Sequence, residues 1–293
     1  MIKKIKLGIP GGSLEKYIEK LFLDAGYDFK KNSNPLLIEI DDPEVECFFD
    51  RANEIARLVD EGILDAGISS KAAILEAKAK NAEICEIGTP GVEWDSTKVI
   101  LAVPKNSKIR SVSDLQGKKI ITRLPEITKD FLRKNKISAK VEITSSSAES
   151  KVEALADAVV EFTNTGSTLK FYNLIILDVL MNNANMLYVV ASEKAIKDKW
   201  KKEKIENLGF LLKGARLGQE MAGLMLHASN NMMEEVLKVL PSLKKPTVTH
   251  LRGENWFDIF TVVSKKNTRK LIPKLKKIGC TDIVEFPLNK VIS

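Results

Sequence analysis

The chain has 293 residues, more than one compact core ordinarily takes, so two or three domains are expected. With 44% hydrophobic and 29% charged residues it has ordinary globular proportions, which excludes a disordered or fibrous chain, and no apolar run approaches the length of a membrane span. The net charge of +7 favours anionic partners in general, but the excess is scattered lysine without the aromatic strand motif or paired helices of a nucleic-acid reader, so nucleic acid is excluded as a partner.

In chain order, "KIKLGI" (4–9) reads as a strand and "PGGSLEKYIEKLFLDAGY" as a turn and helix, with Ser13 as N-cap and Gly26 closing it. "VECFF" (45–49) is strand-like, "RANEIARLVDEGIL" (51–64) is an amphipathic helix, and "DAGISS" (65–70) is a short strand that leads into a helix from Lys71. "AEICEIG" and "STKVILAVP" are strand-like. "SVSDLQGKKIITRLP" (111–125) reads as a short helix, a glycine turn and a strand. "EITKDFLRKNK" is a helix, "AKVEIT" a strand, and "ALADAVVEF" (154–162) a buried strand. "NMLYVVAS" is followed by one long helix over 192–216. The alternation predicts α/β units around mostly parallel sheets. The remaining segments, "EMAGLMLHA" to "DIVEFPLNKVI", give strand-helix-strand-strand-helix-strand, a ferredoxin-like order, with a boundary near residue 213.

Three cysteines, Cys47, Cys85 and Cys280, are odd in number and far apart, which predicts free thiols. The two histidines sit in no metal-ligand spacing, so if the chain does chemistry, that chemistry must rest on carboxylates, backbone donors, basic residues or a bound hard cation. Residues 1–10 lack the form of a secretory signal, and a cytoplasmic protein is expected.

"VVEFTNTGSTLKF" (159–171) carries the strongest local signal. A strand ending in Glu161 runs through Thr165, Gly166, Ser167, Thr168 and Leu169 into a helix. The orphan amides of that helix start suit a phosphate, Gly166 allows close approach, and Glu161 can accept from the hydroxyls of an attached sugar. A plain capped turn has the same composition, since Ser and Thr cap helices widely. Pro10, Gly11, Gly12 and Ser13 form a second glycine-rich turn before a helix.

These segments together resemble the long form of ATP phosphoribosyltransferase, the first enzyme of histidine biosynthesis. The resemblance runs through "LGIPGGSLEKYIEKLFLDAGY", "FFDRANEIARLVDEGILDAGI", "AESKVEALADAVVEFTNTGSTL", "KIENLGFLLKGAR" and "LPSLKKPTVTHLRGENWFDIFTVV", and covers nearly the whole chain in order. It implies a two-lobe core like the type II periplasmic binding proteins, plus a C-terminal ferredoxin-like (ACT-like) βαββαβ domain. The implied divisions are lobe I over 1–93 with 184–212 returning to it, lobe II over 94–183, and the regulatory domain over 213–293. It implies transfer of phosphoribosyl from phosphoribosyl pyrophosphate to N1 of ATP, with Mg2+ held mainly by substrate phosphates, inhibition by histidine, and a dimer assembling to a hexamer. A two-lobe binding or sensor protein without catalysis is the alternative.

By the same resemblance Glu161 and Thr165–Leu169 bind phosphoribosyl pyrophosphate, with Glu161 also favouring the cationic sugar. Arg51 meets the pyrophosphate or ATP phosphates, with a helix-start surface arginine as the alternative reading. Pro10–Ser13 and Ser69, Ser70 and Lys71 serve ATP. Ser229, Leu243, Lys245 and Thr247 hold the inhibitory histidine. The chain departs from the family at Gly11, where Lys is frequent, at Ser69-Ser70-Lys71-Ala72, where Thr-Gly-x-Asp is common, and at Asn164, where Glu is common. Lys71 is expected to make up for the cation missing at Gly11.

Overall fold

The computed structural model describes residues 2–31, 37–91, 97–145, 147–241, 245–253 and 255–292. Its contacts divide the chain into two units, Met1–Lys20 with Asp28–Gly209, and Leu21–Tyr27 with Phe210–Ser293.

The first unit holds two sheets. Its N-terminal part runs β1 (Ile5–Pro10), α1 (Glu15–Ala25, which continues into the second unit), β2 (Phe29–Lys31), β3 (Leu37–Ile40), β4 (Val45–Asp50), α2 (Ala52–Asp60), β5 (Ala66–Ser70), α3 (Lys71–Glu76) and β6 (Ala82–Gly88). The chain then builds β7 (Lys98–Pro104), β8 (Lys119–Thr122), α4 (Pro125–Lys134), β9 (Lys140–Ile143), α5 (Val152–Leu155), β10 (Ala158–Thr163), α6 (Ser167–Phe171) and β11 (Leu174–Met181). It returns through β12 (Leu187–Ala191), α7 (Glu193–Lys197) and α8 (Lys199–Glu220).

The strand orders are β2-β3-β4-β1-β5-β12-β6 and β11-β7-β10-β8-β9. The triplets β4-β1-β5 and β10-β8-β9 are parallel. The other pairs are antiparallel, so the expected parallel character is confined to the two triplets. The cause is connectivity. β7 and β12 each arrive from the other sheet rather than through a helical crossover, and parallel neighbours need such a crossover.

The strands β1 and β10 lie inside their sheets and are apolar on both faces, whereas β9 is an edge strand. Ile5, Leu7 and Ile9 of β1, and Val159 and Val160 of β10, are fully buried. Helix α2 lies very close to its sheet. A Cβ on Gly8 or Gly67 would fall 2.7 or 2.3 Å from Ile55 Cγ2, so these two glycines fix the depth of α2.

Three local expectations change. Residues 154–162 are not one strand, because α5 ends at Leu155 and β10 starts at Ala158. Asp157 makes the turn, accepting from the Lys119 N–H (2.9 Å) and donating its own N–H to the Lys119 carbonyl (2.9 Å). The long helix over 192–216 breaks at Asp198, whose carboxylate accepts from the Trp200 and Lys201 N–H groups (3.1 and 3.2 Å) and starts α8 afresh. Gly11, not Ser13, is the N-cap at the first turn, which opens as a 3-10 turn over Gly12–Leu14.

The second unit contains β13 (Met221–Ser229), α9 (Met233–Val239), β14 (Thr247–His250), β15 (Trp256–Ser264), α10 (Lys265–Ile278) and β16 (Thr281–Pro287). Its sheet, β14-β15-β13-β16, is antiparallel throughout and has the expected βαββαβ order. Leu224, Leu226, Ile259, Val263, Leu271 and Leu275 form its core between sheet and helices. The C-terminal segment then lies on α8, where Gly214 and Gly218 leave room for its backbone. The Val291 N–H donates to the Gly214 carbonyl (3.0 Å), and Lys290 Nζ donates to the Ala25 carbonyl at the end of α1 (2.6 Å).

All three cysteines are free thiols. Burial, with help from Asp42 and Glu46, pushes the Cys47 thiol up to about 12, which keeps it protonated and inert. Among the described residues, no helix is long and apolar enough to cross a membrane.

Candidate functional site

In α/β sheets, ligands gather beyond the carboxyl ends of parallel strands, where loops present backbone donors and helix starts. The two parallel triplets supply two such edges in this unit, and the residues predicted for ATP and phosphoribosyl pyrophosphate fall on them.

The first edge joins the ends of β4, β1 and β5. The register pairs Pro10 with Asp50 and Gly8 with Gly67, which sets Pro10–Ser13, Arg51 and Ser69–Lys71 side by side. Arg51 is exposed and caps α2 in extended conformation (φ −72°, ψ 148°), with its N–H donating to Asp50 Oδ1 (2.7 Å). The Gly11 N–H donates to the Asp50 carbonyl (2.9 Å), and Gly12 takes a left-handed φ of 68° in open space. Ser69 is fully buried and its hydroxyl donates to the Ala52 carbonyl (2.7 Å), so this side chain anchors α2 and is already spent. Ser70 is also buried, and its hydroxyl caps α3 by accepting from the Ala73 N–H (3.3 Å). Of the three residues 69–71, only Lys71 is exposed.

The glycine at position 11 has a physical cause. A Cβ there would lie 2.5 Å from Cε1 and 2.6 Å from Cζ of Phe49. Any larger residue must swing that ring away. Gly11→Lys is therefore expected to destabilise the protein by about 1–3 kcal/mol, and Gly11→Lys with Phe49→Ala by less than the sum of the single changes. Urea denaturation of the four proteins measures this. Strict additivity would show that the ring is not the obstacle.

The second edge joins the ends of β8, β9 and β10. Glu161 is 1% exposed on β10. Its carboxylate is not bare, because Arg123, just past the end of β8, grips it with a fork. Nε donates to Oε2 and Nη2 to Oε1, each at 2.8 Å. The Phe162 N–H also donates to Oε1 (2.9 Å). The bond to Glu161 is the leading cause that holds the Arg123 guanidinium's pKa above its already high ordinary value. Lys151 stands near the end of β9, its Nζ donating to Thr144 Oγ1 (2.6 Å).

Next to this pair β10 ends at Thr163, so residues 164–168 lie outside the sheet. Gly166 has a left-handed backbone (φ 73°, ψ 10°), caps α6, and has nothing within 4 Å of a built Cβ. The Ser167 N–H turns back to Thr165 Oγ1 (3.4 Å), and Thr165 Oγ1 meets Ser167 Oγ at 3.1 Å. Among the described residues, no backbone carbonyl accepts from the N–H of Gly166, Thr168 or Leu169. Leu169 is buried by its side chain, and only its amide can serve a ligand. This loop has the form of an open anion nest beside an acid.

Sequence reasoning missed Arg123. The signal was present, since "ITRLP" places an arginine between a strand end and a proline-started helix, at the ligand edge of a parallel sheet. It also missed Glu76, whose carboxylate accepts from the N–H groups of Glu126 (3.0 Å to Oε1) and Ile127 (3.0 Å to Oε2), joining the end of α3 to the start of α4. Burial, the leading cause, raises the Glu76 pKa above the ordinary carboxylate value.

In the C-terminal unit, Ser229 ends β13 opposite Trp256, with its hydroxyl against Asn231 Oδ1. Thr247 starts β14 opposite Phe260, and Lys245 is exposed just before it. Leu243 lies outside the described residues. Trp256 and Phe260 are four residues apart on β15, so Ser229 and Thr247 are separated by roughly 14 Å along the strands and two strand spacings of about 4.8 Å across them. One copy does not bring them together.

Comparison with known proteins gives one consistent outcome. The family described as "ATP phosphoribosyltransferase" (HisG) matches residues 51–214, and that described as "HisG, C-terminal domain" matches residues 218–290. The chain is 41% identical over 289 residues to ATP phosphoribosyltransferase of Desulforudis audaxviator, covering 99% of both chains. It is 37% identical over 289 residues to the Pelotomaculum thermopropionicum protein of the same name, again covering 99% of both. Among solved structures it is similar to a chain of the ATP phosphoribosyl transferase (HisG:HisZ) complex from Thermotoga maritima. That match has a TM-score of 0.60 at 25% identity and covers 71% of this chain and 98% of that one.

Proposed function

This chain belongs to the ATP phosphoribosyltransferase family, and on that premise we propose how its residues divide the work. The enzyme is a pentosyltransferase of the first step of histidine biosynthesis: ATP and phosphoribosyl pyrophosphate give phosphoribosyl-ATP and pyrophosphate. Adenine N1 bonds to the anomeric carbon as the bond from that carbon to the pyrophosphate oxygen breaks. The sugar carbon gains positive character while the leaving group takes up negative charge, so the protein's task is to hold both partners in line and to balance charge.

The loop after β10 takes the 5-phosphate of the sugar. The observation that carries this reading is the left-handed Gly166, whose own N–H and those of Thr168 and Leu169 meet no backbone carbonyl among the described residues, next to a buried acid at the carboxyl edge of parallel strands. Glu161 faces the ribose hydroxyls. A carboxylate has about four lone-pair sites. Arg123 and the Phe162 amide occupy three of them, which leaves one, on Oε2, for a sugar hydroxyl. The edge at Pro10–Ser13, Arg51 and Lys71 takes ATP, with backbone amides, Arg51 and Lys71 as its donors, while Ser69 and Ser70 shape it from behind.

Among the described residues, no group of three or more His, Cys, Asp or Glu side chains is placed to hold a metal. Magnesium would then enter with the substrate phosphates, where its charge would offset that of the departing pyrophosphate.

The C-terminal unit is read as a histidine sensor. Two of its contacts, Ser229 at the end of β13 and Thr247 at the start of β14, are too far apart in one copy to share one amino acid. A sensor site that uses both draws on two copies, which supports a homo-oligomer; the hexamer built of dimers is the form the family resemblance implies.

The test is turnover. The purified chain with ATP, phosphoribosyl pyrophosphate and magnesium should show the absorbance of the ribosylated adenine. Gly166→Val forces a β-branched residue into a left-handed backbone. It should raise KM for phosphoribosyl pyrophosphate about tenfold and leave KM for ATP within about twofold, as expected for loss of hydrogen bonds to a charged group. Binding of both substrates without turnover would favour a sensor. An unchanged KM in the variant would remove the loop from the site.

A further inference from the structure

We propose that Arg123 is a substrate-binding residue, the cation that receives the pyrophosphate of phosphoribosyl pyrophosphate. This assignment rests on the reading that the loop after β10 holds the 5-phosphate and Glu161 the ribose hydroxyls.

A guanidinium has five N–H donors. In Arg123, Nε–H and one Nη2–H are used by Glu161, which leaves three, and no described residue accepts from them. The side chain is not buried with its partner. Glu161 is 1% exposed, whereas the Arg123 side chain is 47% exposed. A buried carboxylate thus fixes one edge of a guanidinium and turns the planar group into a rigid device whose other edge is open to ligand. Rigid, pre-aimed donors bind phosphate oxygens at less entropic cost than a free lysine.

Place in the fold supplies the direction. The sugar's 5-phosphate and its C1 substituent lie at opposite ends of the ribose, and the 2- and 3-hydroxyls lie between them. The loop, Glu161 and Arg123 offer a nest, an acceptor and a cation at one strand edge. Such an order suits phosphate, hydroxyls and pyrophosphate. The edge also needs positive charge from somewhere. Lys151 also stands here, with one Nζ donor on Thr144 and a single charge on a flexible stem, whereas the Arg123 guanidinium is held by its fork.

The experiment is calorimetric titration of the full chain with two probes, magnesium pyrophosphate and ribose 5-phosphate, in wild type and Arg123→Gln. The variant should bind pyrophosphate about 10- to 100-fold more weakly, the range for hydrogen bonds to charged groups, and ribose 5-phosphate within about twofold of wild type. Since Arg123→Gln leaves a buried carboxylate without its partner, Arg123→Gln with Glu161→Gln is titrated alongside. Two neutral amides can face each other there, and the same loss of pyrophosphate affinity is expected. Arg123→Lys keeps the charge without the fork and should fall between. Unchanged pyrophosphate affinity in the variants overturns the assignment. So does an equal loss of both probes, which is what a merely structural salt bridge predicts. If the wild type ignores ribose 5-phosphate but Arg123→Gln still loses pyrophosphate, the loop reading fails while Arg123 stands as a pyrophosphate ligand.

Discussion

Glu161→Gln should lower kcat/KM for phosphoribosyl pyrophosphate by about 10²–10³, equivalent to about 2.7–4 kcal/mol of transition-state stabilisation, the range seen when one preorganised electrostatic contact is removed. The substitution keeps the shape. The amide oxygen can still accept from Phe162 N–H or Arg123, so the strand end should hold and Tm should fall by only a few degrees. What disappears is a full negative charge at 1% exposure beside the proposed sugar site. Burial matters here, because the same charge in bulk water would act across a dielectric several-fold higher. The loss should appear mainly in kcat, since positive charge on the sugar carbon develops only as pyrophosphate leaves. A variant with wild-type kcat and a raised KM would reduce Glu161 to a hydroxyl acceptor. Wild-type values of both would remove it from the site.

How far the sequence reached can be judged at this same strand. The acid and the Thr-Gly-Ser-Thr turn were legible because their types are local signals. An apolar β-branched run reads as a buried strand, and glycine among hydroxyl residues reads as a turn into a helix. The C-terminal βαββαβ order was legible for the same reason, through alternating periodicity over a short span. What surrounds Glu161 was not. Its partner Arg123 is 38 residues away and reaches it only because β8 and β10 are parallel neighbours. No pattern within either segment announces that pairing. Ser69 fails in the opposite sense. It sits in a loop-like stretch that looks available, yet its hydroxyl is used on the Ala52 carbonyl, 17 residues away, so that a plausible ligand donor is in fact an anchor. Phe49 over Gly11 is the third instance, since a departure that reads as a lost charge becomes a packing constraint once the ring is placed. The antiparallel entry of β7 and β12 was also hidden, because strand direction in a sheet depends on where the chain comes from and not on what the strand is made of.

Gly67→Ala is expected to cost about 1–3 kcal/mol of stability, the usual range for overpacking a filled core, and to weaken ATP binding although it touches no ligand. The added methyl would sit 2.3 Å from Ile55 Cγ2 and 3.3 Å from Val59 Cγ2, with the Gly8 carbonyl behind it at 3.4 Å. Ile55 is fully buried and β-branched, so it has few rotamers to escape into. The cheaper response is for α2 to lift off the sheet. Arg51 caps that helix and Ser69 is bonded to its first residue, so the lift moves the edge proposed to take ATP. Small displacements of positioning groups are felt strongly in such sites. A double-mutant cycle with Ile55→Ala isolates the cause. That change alone should cost about 2–5 kcal/mol through the cavity it leaves, yet it makes room for the new methyl, so the pair should be less destabilised than the sum by about 0.5–3 kcal/mol. Urea midpoints of the four proteins give the coupling, and KM for ATP in Gly67→Ala gives the functional half. If the two changes simply add, the clash with Ile55 is not what holds α2 in place, and the route from a core glycine to the nucleotide edge is lost.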